Sequence, residues 1–201
     1  MNLESYLSQG WSYNLVVPAV LMLLAIIVFL VLNWRKLHDR WLEWNTHRNL
    51  DKVGIKQIKK AVCADGLDGE FVIDRLVMLH DSILLIAFRP YPGNIYCAEN
   101  IPQWTQVKSQ KSFKFNNPLF ELDNQVTAIR NYFPGVSIRG LLIFDHNASF
   151  PKGHPERVIL PDHIPESLLQ INIPEPRPEI LKCWDALLKL PLSRDQLPLY
   201  Q

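Results

Sequence analysis

The sequence predicts an α/β domain, a mixed sheet flanked by helices, preceded by one N-terminal transmembrane helix. Three stretches carry this expectation. Leu15–Leu32 is an unbroken apolar run without a charge. Phe71–Leu79 and Ser82–Phe88 are rich in branched and aromatic residues and are separated only by His80-Asp81, the pattern of a β-hairpin. Further on, the stripe Leu119, Leu122, Val126, Ile129 marks a helix from Asn117 to about Tyr132. The short apolar run Gly140–Phe144 after it reads as a strand covered on both faces.

The apolar run has the dimensions of a membrane span. A helix from Tyr13 to Trp34 rises about 31 Å, close to the hydrocarbon thickness of a bilayer. Trp11, Tyr13 and Trp34 would lie at the two interfaces, and Pro18 would fall in the first turns. A buried core helix is a poor alternative for so long an uncharged run. A cleaved signal peptide needs a basic leader, and no Lys or Arg precedes Arg35. Arg35, Lys36, Arg40, Arg48, Lys52, Lys56, Lys59 and Lys60 all follow the span, so the charge asymmetry puts the N-terminus outside and the folded part in the cytoplasm. Trp34, Leu37, Trp41 and Trp44 then continue at helical spacing. That seam is short for a coiled-coil dimer and suits an amphipathic stalk resting on headgroups or on the domain.

Composition removes several function classes. Lys and Arg number 21 against 20 Asp and Glu, a net charge of +1, so any nucleic-acid binding would need a local patch. Cys63, Cys97 and Cys183 form no metal-ligand or redox spacing and read as free thiols in a reducing compartment. Asp65–Gly69 lacks the ligand alternation of a calcium loop and reads as a turn. There is no Ser-His-Asp order, glycine-rich phosphate loop or helix with paired histidines.

The hairpin carries the candidate site. With its loop centred on His80-Asp81, Asp74 lies opposite Ala87, and Arg89 points to the same face one pair further along. The order Val-Ile-Asp-Arg-Leu-Val-Met, then Leu-Leu-Ile-Ala-Phe-Arg-Pro-Tyr-Pro-Gly, resembles the nuclease-related domain (NERD) family, of restriction-endonuclease-like fold. Trp104 and Phe115-Asn-Asn-Pro-Leu119 add to the resemblance, which covers roughly 66–163. It implies a metal-dependent nuclease pattern in which Asp74 is a catalytic metal ligand. The family's second carboxylate position is Ala87 here, its lysine position is Arg89, and its usual glutamine after the Asn-Pro motif is Glu121. Glu70, Glu99 and Glu121 are the other candidate carboxylates for completing a site.

The expected organisation is then an extracytoplasmic N-terminus (1–13), a transmembrane helix (14–33), a basic stalk (34–60), the nuclease-related domain (61–163), and a proline-rich connection with a C-terminal helix (164–201). Val53–Ala64 reads as a short helix or a first strand, Asn94–Ala98 and Val158–Leu160 as strands, and Lys108–Phe115 as one strand. The lysines 108, 111 and 114 read as a solvated surface that could touch phosphates. Asp145-His146-Asn147 is a turn. The last helix, Glu179–Leu190, has Ile180, Leu181, Trp184, Leu187 and Leu188 on one side.

Two functions follow. One is a DNA phosphodiesterase with Mg²⁺ on Asp74. The other is a binding module at the membrane that keeps the fold and has lost the chemistry, with no cofactor and Asp74 paired to Arg89. A single surviving carboxylate favours the second. Its partners would be membrane lipid and a protein not named by the sequence, with nucleic acid as a further class.

Overall fold

The computed structural model describes residues 3–64, 69–169 and 174–189. The chain divides into two units, 1–45 and 46–201. Most of the expected Asp65–Gly69 turn, residues 170–173 of the proline-rich connection, and residues from Leu190 onward lie outside the described residues.

The first unit is helical. Helix α1 spans Leu3–Leu50, and its last turns belong to the second unit. Val17–Trp34 has the length and apolar composition of a membrane span or a signal sequence. None of that window is buried in the chain, which sets aside a core helix. Residues 3–13 are helical and continuous with the apolar run: one glycine, Gly10, costs a long cooperative helix only about 1 kcal/mol. One expectation changes here, because Pro18 lies well inside the helix and not in its first turns.

The second unit is built on a five-stranded sheet. Its strands are β1 (Lys56–Ala64), β2 (Glu70–Met78), β3 (Ser82–Arg89), β7 (Ser137–Phe144) and β9 (Val158–Ile159), in the order β1-β2-β3-β7-β9. β1, β2 and β3 are antiparallel neighbours, whereas β3, β7 and β9 run parallel. The second, four-stranded sheet has the order β6-β5-β4-β8. Its members are β4 (Gly93–Tyr96), β5 (Gln103–Lys108), β6 (Lys111–Asn116) and β8 (Ala148–Ser149). The fold is thus mixed α/β with two mixed sheets flanked by helices.

Two segments differ from expectation. The proposed stalk over 34–60 is helix only to Leu50, and β1 takes up its last residues. Between them Gly54, at φ +67°, brings the chain against Val77 and the Met78 carbonyl, where any side chain would collide. Lys108–Phe115 is the tip and return strand of a hairpin, turning at Ser109-Gln110. Polar residues at a strand end and at a turn look alike in sequence, which is why the break was not visible.

Both faces of the main sheet are covered. On one, Leu76, Met78, Ile83, Leu85 and Leu142 meet helix α2 (Pro118–Tyr132) and helix α3 (Pro178–Leu187). α2 buries Leu119, Leu122, Val126 and Ile129, as its spacing predicts. Gly140 lets it approach β7, because a Cβ there would meet the Leu122 side chain at 2.8 Å. α3 buries Ile180, Cys183, Trp184 and Leu187, while Leu181 and Leu188 are exposed. The 3.6-residue period selects i, i+3, i+4, i+7, so Cys183 belongs in the stripe and its two leucine neighbours do not. On the other face, Val77, Leu84, Ile86 and Ile143 meet Leu50 and Val53. The proline-rich stretch also packs there through Leu168 and Leu169, and Leu169 bridges to Val53. Burial pushes the thiols of Cys63, Cys97 and Cys183, all free, up to about 11.

Arg75 lies on this second face, 2% exposed. Its Nη1 donates to Asp51 at 2.6 Å and to Gln57 at 2.7 Å, and among the described residues its Nε has no partner. Burial raises the Asp51 carboxyl, but hydrogen bonds from Lys59 and Arg75 outweigh that and hold it below its ordinary value. Folded Asp51 therefore stays charged at acidities that protonate it in the unfolded chain. Its stabilising contribution is complete above the ordinary carboxylate range and is lost as pH falls through the lowered value. Asp51→Asn is expected to cost on the order of 1 kcal/mol at neutral pH, because Asp51 is half exposed. It should also flatten the acid limb of the stability curve. Equal acid sensitivity in both proteins, followed by chemical denaturation, would show that Arg75 is held without Asp51.

Candidate functional site

The site forms where the hairpin ladder stops. β2 and β3 pair from Met78↔Ile83 to Arg75↔Ile86, in the register expected from a His80-Asp81 loop. One position further on is Asp74, and its side chain replaces the backbone ladder: the Phe88 N–H donates to Asp74 Oδ2 at 2.9 Å. The other carboxylate oxygen accepts from the Lys60 ammonium.

Lys60 reaches Asp74 because β1 bends there. It has φ 55°, a left-handed conformation that costs a lysine about 1 kcal/mol or more. The bend reverses which side chains face the main core. Before it, Ile58 and Leu76 pack there; beyond it, Ala61, Cys63 and Ile73 do. Asp74 and Lys60 thus sit at the kink of two paired strands.

Arg89 completes a chain of alternating charges. Its Nη1 donates to the Phe88 carbonyl at 2.9 Å and lies 3.9 Å from Asp74 Oδ2. Its Nη2 donates to Glu121 Oε2 at 2.6 Å. The shortest contact of each acid is therefore Lys60 for Asp74 and Arg89 for Glu121, with Arg89 spanning both. Ala87 is buried in register with Leu142 and contributes a methyl group where the resemblance places a second carboxylate. Beside Arg89 and Glu121 opens a cleft of about 610 Å³, walled by Tyr91, Phe115, Asn117 and Phe120.

The remaining candidates are dispersed. Glu70 begins β2, about 13 Å from Asp74 along an extended strand. Glu99 bonds Arg157, which also holds Asp123. Asp145 closes a turn by accepting from the Asn147 N–H at 2.7 Å. Asn117 is buried and uses its whole amide: Oδ1 caps α2 through the Leu119 N–H, and Nδ2 donates to the Glu99 and Ile101 carbonyls at 2.9 Å each. The Asn-Pro motif is thus a fastening for the start of α2, which carries Glu121.

Mg²⁺ would require several oxygen ligands to converge. These residues do not fit it. Both Asp74 oxygens are engaged by protein donors, Glu121 is turned onto Arg89, and no three His, Cys, Asp or Glu residues converge among the described residues. Lys60 is the participant that sequence reasoning missed. With 53–64 undecided between helix and strand, no register existed to place it beside Asp74.

A mixed α/β domain with a carboxylate held among cations at a hairpin end is the class of protein that fold and site define. The family model described as nuclease-related domain matches residues 32–145. The chain belongs to the nuclease-related domain family. The match begins before β1 and ends at the close of β7, so it includes Lys60, Asp74, Arg89, the Asn-Pro motif and Glu121. No curated protein and no solved structure matches the chain.

Proposed function

We propose that this chain is a membrane-anchored member of the nuclease-related family whose site no longer cleaves DNA and whose domain acts as a binding or interaction module. The observation that carries this is the occupation of Asp74. Its carboxylate is met by the Lys60 ammonium, the Phe88 N–H and, more distantly, Arg89. A tethered cation supplies the charge compensation that a metal would otherwise provide, and it competes directly with one. Ala87 supplies no second ligand. The anchor is Val17–Trp34, and the positive charges following it favour an outside N-terminus and a cytoplasmic domain. A C-terminal reporter active only outside the cytoplasm would overturn that topology.

The activity is tested on the purified full-length chain with plasmid and linear DNA in Mg²⁺ and Mn²⁺. The expected result is no cleavage above background. Asp74→Ala should lower stability by about 1–3 kcal/mol, because it strands two cations and the Phe88 N–H. Cleavage that disappears in Asp74→Ala would overturn the proposal. It would instead favour a rearranged nuclease using Glu121, among the described residues the one other carboxylate that shares Arg89 with Asp74.

A further inference from the structure

The β5–β6 hairpin carries an arrangement that the proposed site does not use. Lys108 and Lys111 are directly paired across its end, so two like charges face each other. Lys114 follows on β6. All three are exposed, and none has an ion pair or side-chain hydrogen bond among the described residues. Between Lys111 and Lys114 lies Phe113, 50% exposed. It shares a face with Phe115, which lies deeper and contacts Tyr91 and Trp104. The turn itself is strained, because Ser109 and Gln110 both have positive φ, 49° and 65°, where glycine or asparagine would sit without cost.

Lysines on an outer strand protect a sheet edge from pairing with another chain. That role explains Lys111 and Lys114. It does not explain an exposed phenylalanine between them or two opposed lysines without an acid. A planar array of negative charge over an apolar layer satisfies all of these at once. It would relieve the repulsion between Lys108 and Lys111, and it would receive the Phe113 ring below the charged level.

We propose that the tip of the β5–β6 hairpin docks on anionic lipid headgroups, with Phe113 entering the interface and Lys108 and Lys111, which share its face, bound to phosphates. The inference rests on the membrane-anchored reading for its occupant, since a span in the same chain holds the domain near a bilayer at high effective concentration. Weak docking is then sufficient.

The test uses the full-length chain with an environment-sensitive fluorophore on Ser109→Cys, in the turn at the tip. The native thiols are largely protonated at neutral pH and should label slowly. The protein is mixed with vesicles of phosphatidylcholine alone or with phosphatidylglycerol, and retention is followed by flotation. The expected result is a blue shift only with phosphatidylglycerol, reversed by high salt and reduced in Phe113→Ser. Lys108→Glu and Lys111→Glu should each weaken docking by roughly fivefold or more. A chain that floats with both vesicles yet shows the same emission in each overturns the docking and leaves the anchor. A chain that floats only with phosphatidylglycerol, with the blue shift, supports the docking and overturns the anchor. A spectral response to duplex DNA, absent with anionic vesicles, overturns the proposal in favour of nucleic acid.

Discussion

Replacing Trp104 with alanine is expected to lower the unfolding free energy by about 3–5 kcal/mol, the largest effect of any single substitution considered for this chain. Trp104 is fully buried on β5. Its ring stacks on Phe144 of β7 at 6.0 Å and meets Phe115 of β6 edge-on at 6.2 Å. It therefore joins the second sheet to the first. Its indole N–H is also satisfied, donating to the Ala98 carbonyl at 2.9 Å. Alanine would leave a cavity at the junction and leave the Ala98 carbonyl with only the long bond from the Ile101 N–H at 3.4 Å. Trp104→Phe keeps an aromatic ring but loses the hydrogen bond, and should cost about 1–2 kcal/mol. Chemical denaturation of the full-length chain measures both, and hydrogen exchange should show the 103–116 hairpin opening first in the alanine variant. A loss below about 1 kcal/mol for Trp104→Ala would mean that the two sheets hold together without it.

Asn117→Ala should cost about 3 kcal/mol. Roughly 1 kcal/mol comes from the lost cap of α2 and about 1 from each of the two carbonyls left without a donor. Asn117→Ser retains only the cap and should recover about 1 kcal/mol. The same change reaches the site, because Glu121 stands in the first turn of α2 and holds Arg89. Faster exchange of the first α2 amides is expected in the alanine variant and slower exchange in the serine one. Equal stability of the two variants would show that the carbonyl bonds of Nδ2 dominate and that the cap is idle.

The site was only partly legible in the sequence. Asp74 and Arg89 could be found because a two-residue loop sets the hairpin register and the side-chain period is two. The family resemblance also implied what was missing, with Ala87 standing where the family places a carboxylate. Lys60 was invisible for a physical reason. It comes from the preceding strand, after a connection that supplies no register, and it reaches Asp74 only through a left-handed bend that a lysine does not advertise. Glu121 was visible as a carboxylate near the Asn-Pro motif, but its attachment to Arg89 depends on where α2 docks.

What the sequence determined by itself is local. The apolar run of α1, the hairpin with its register, the buried stripe of α2 and the burial of β7 are all written in periodicities shorter than one element. Tertiary structure alone decided the rest. It split Lys108–Phe115 into a hairpin, moved 56–60 from a stalk into the sheet, turned the proline-rich stretch onto the second face, and gave Asp74 a lysine as its closest cation. Each of these depends on contacts between segments far apart in the chain. Their free energies come from shared burial and paired charge, which no single segment carries alone.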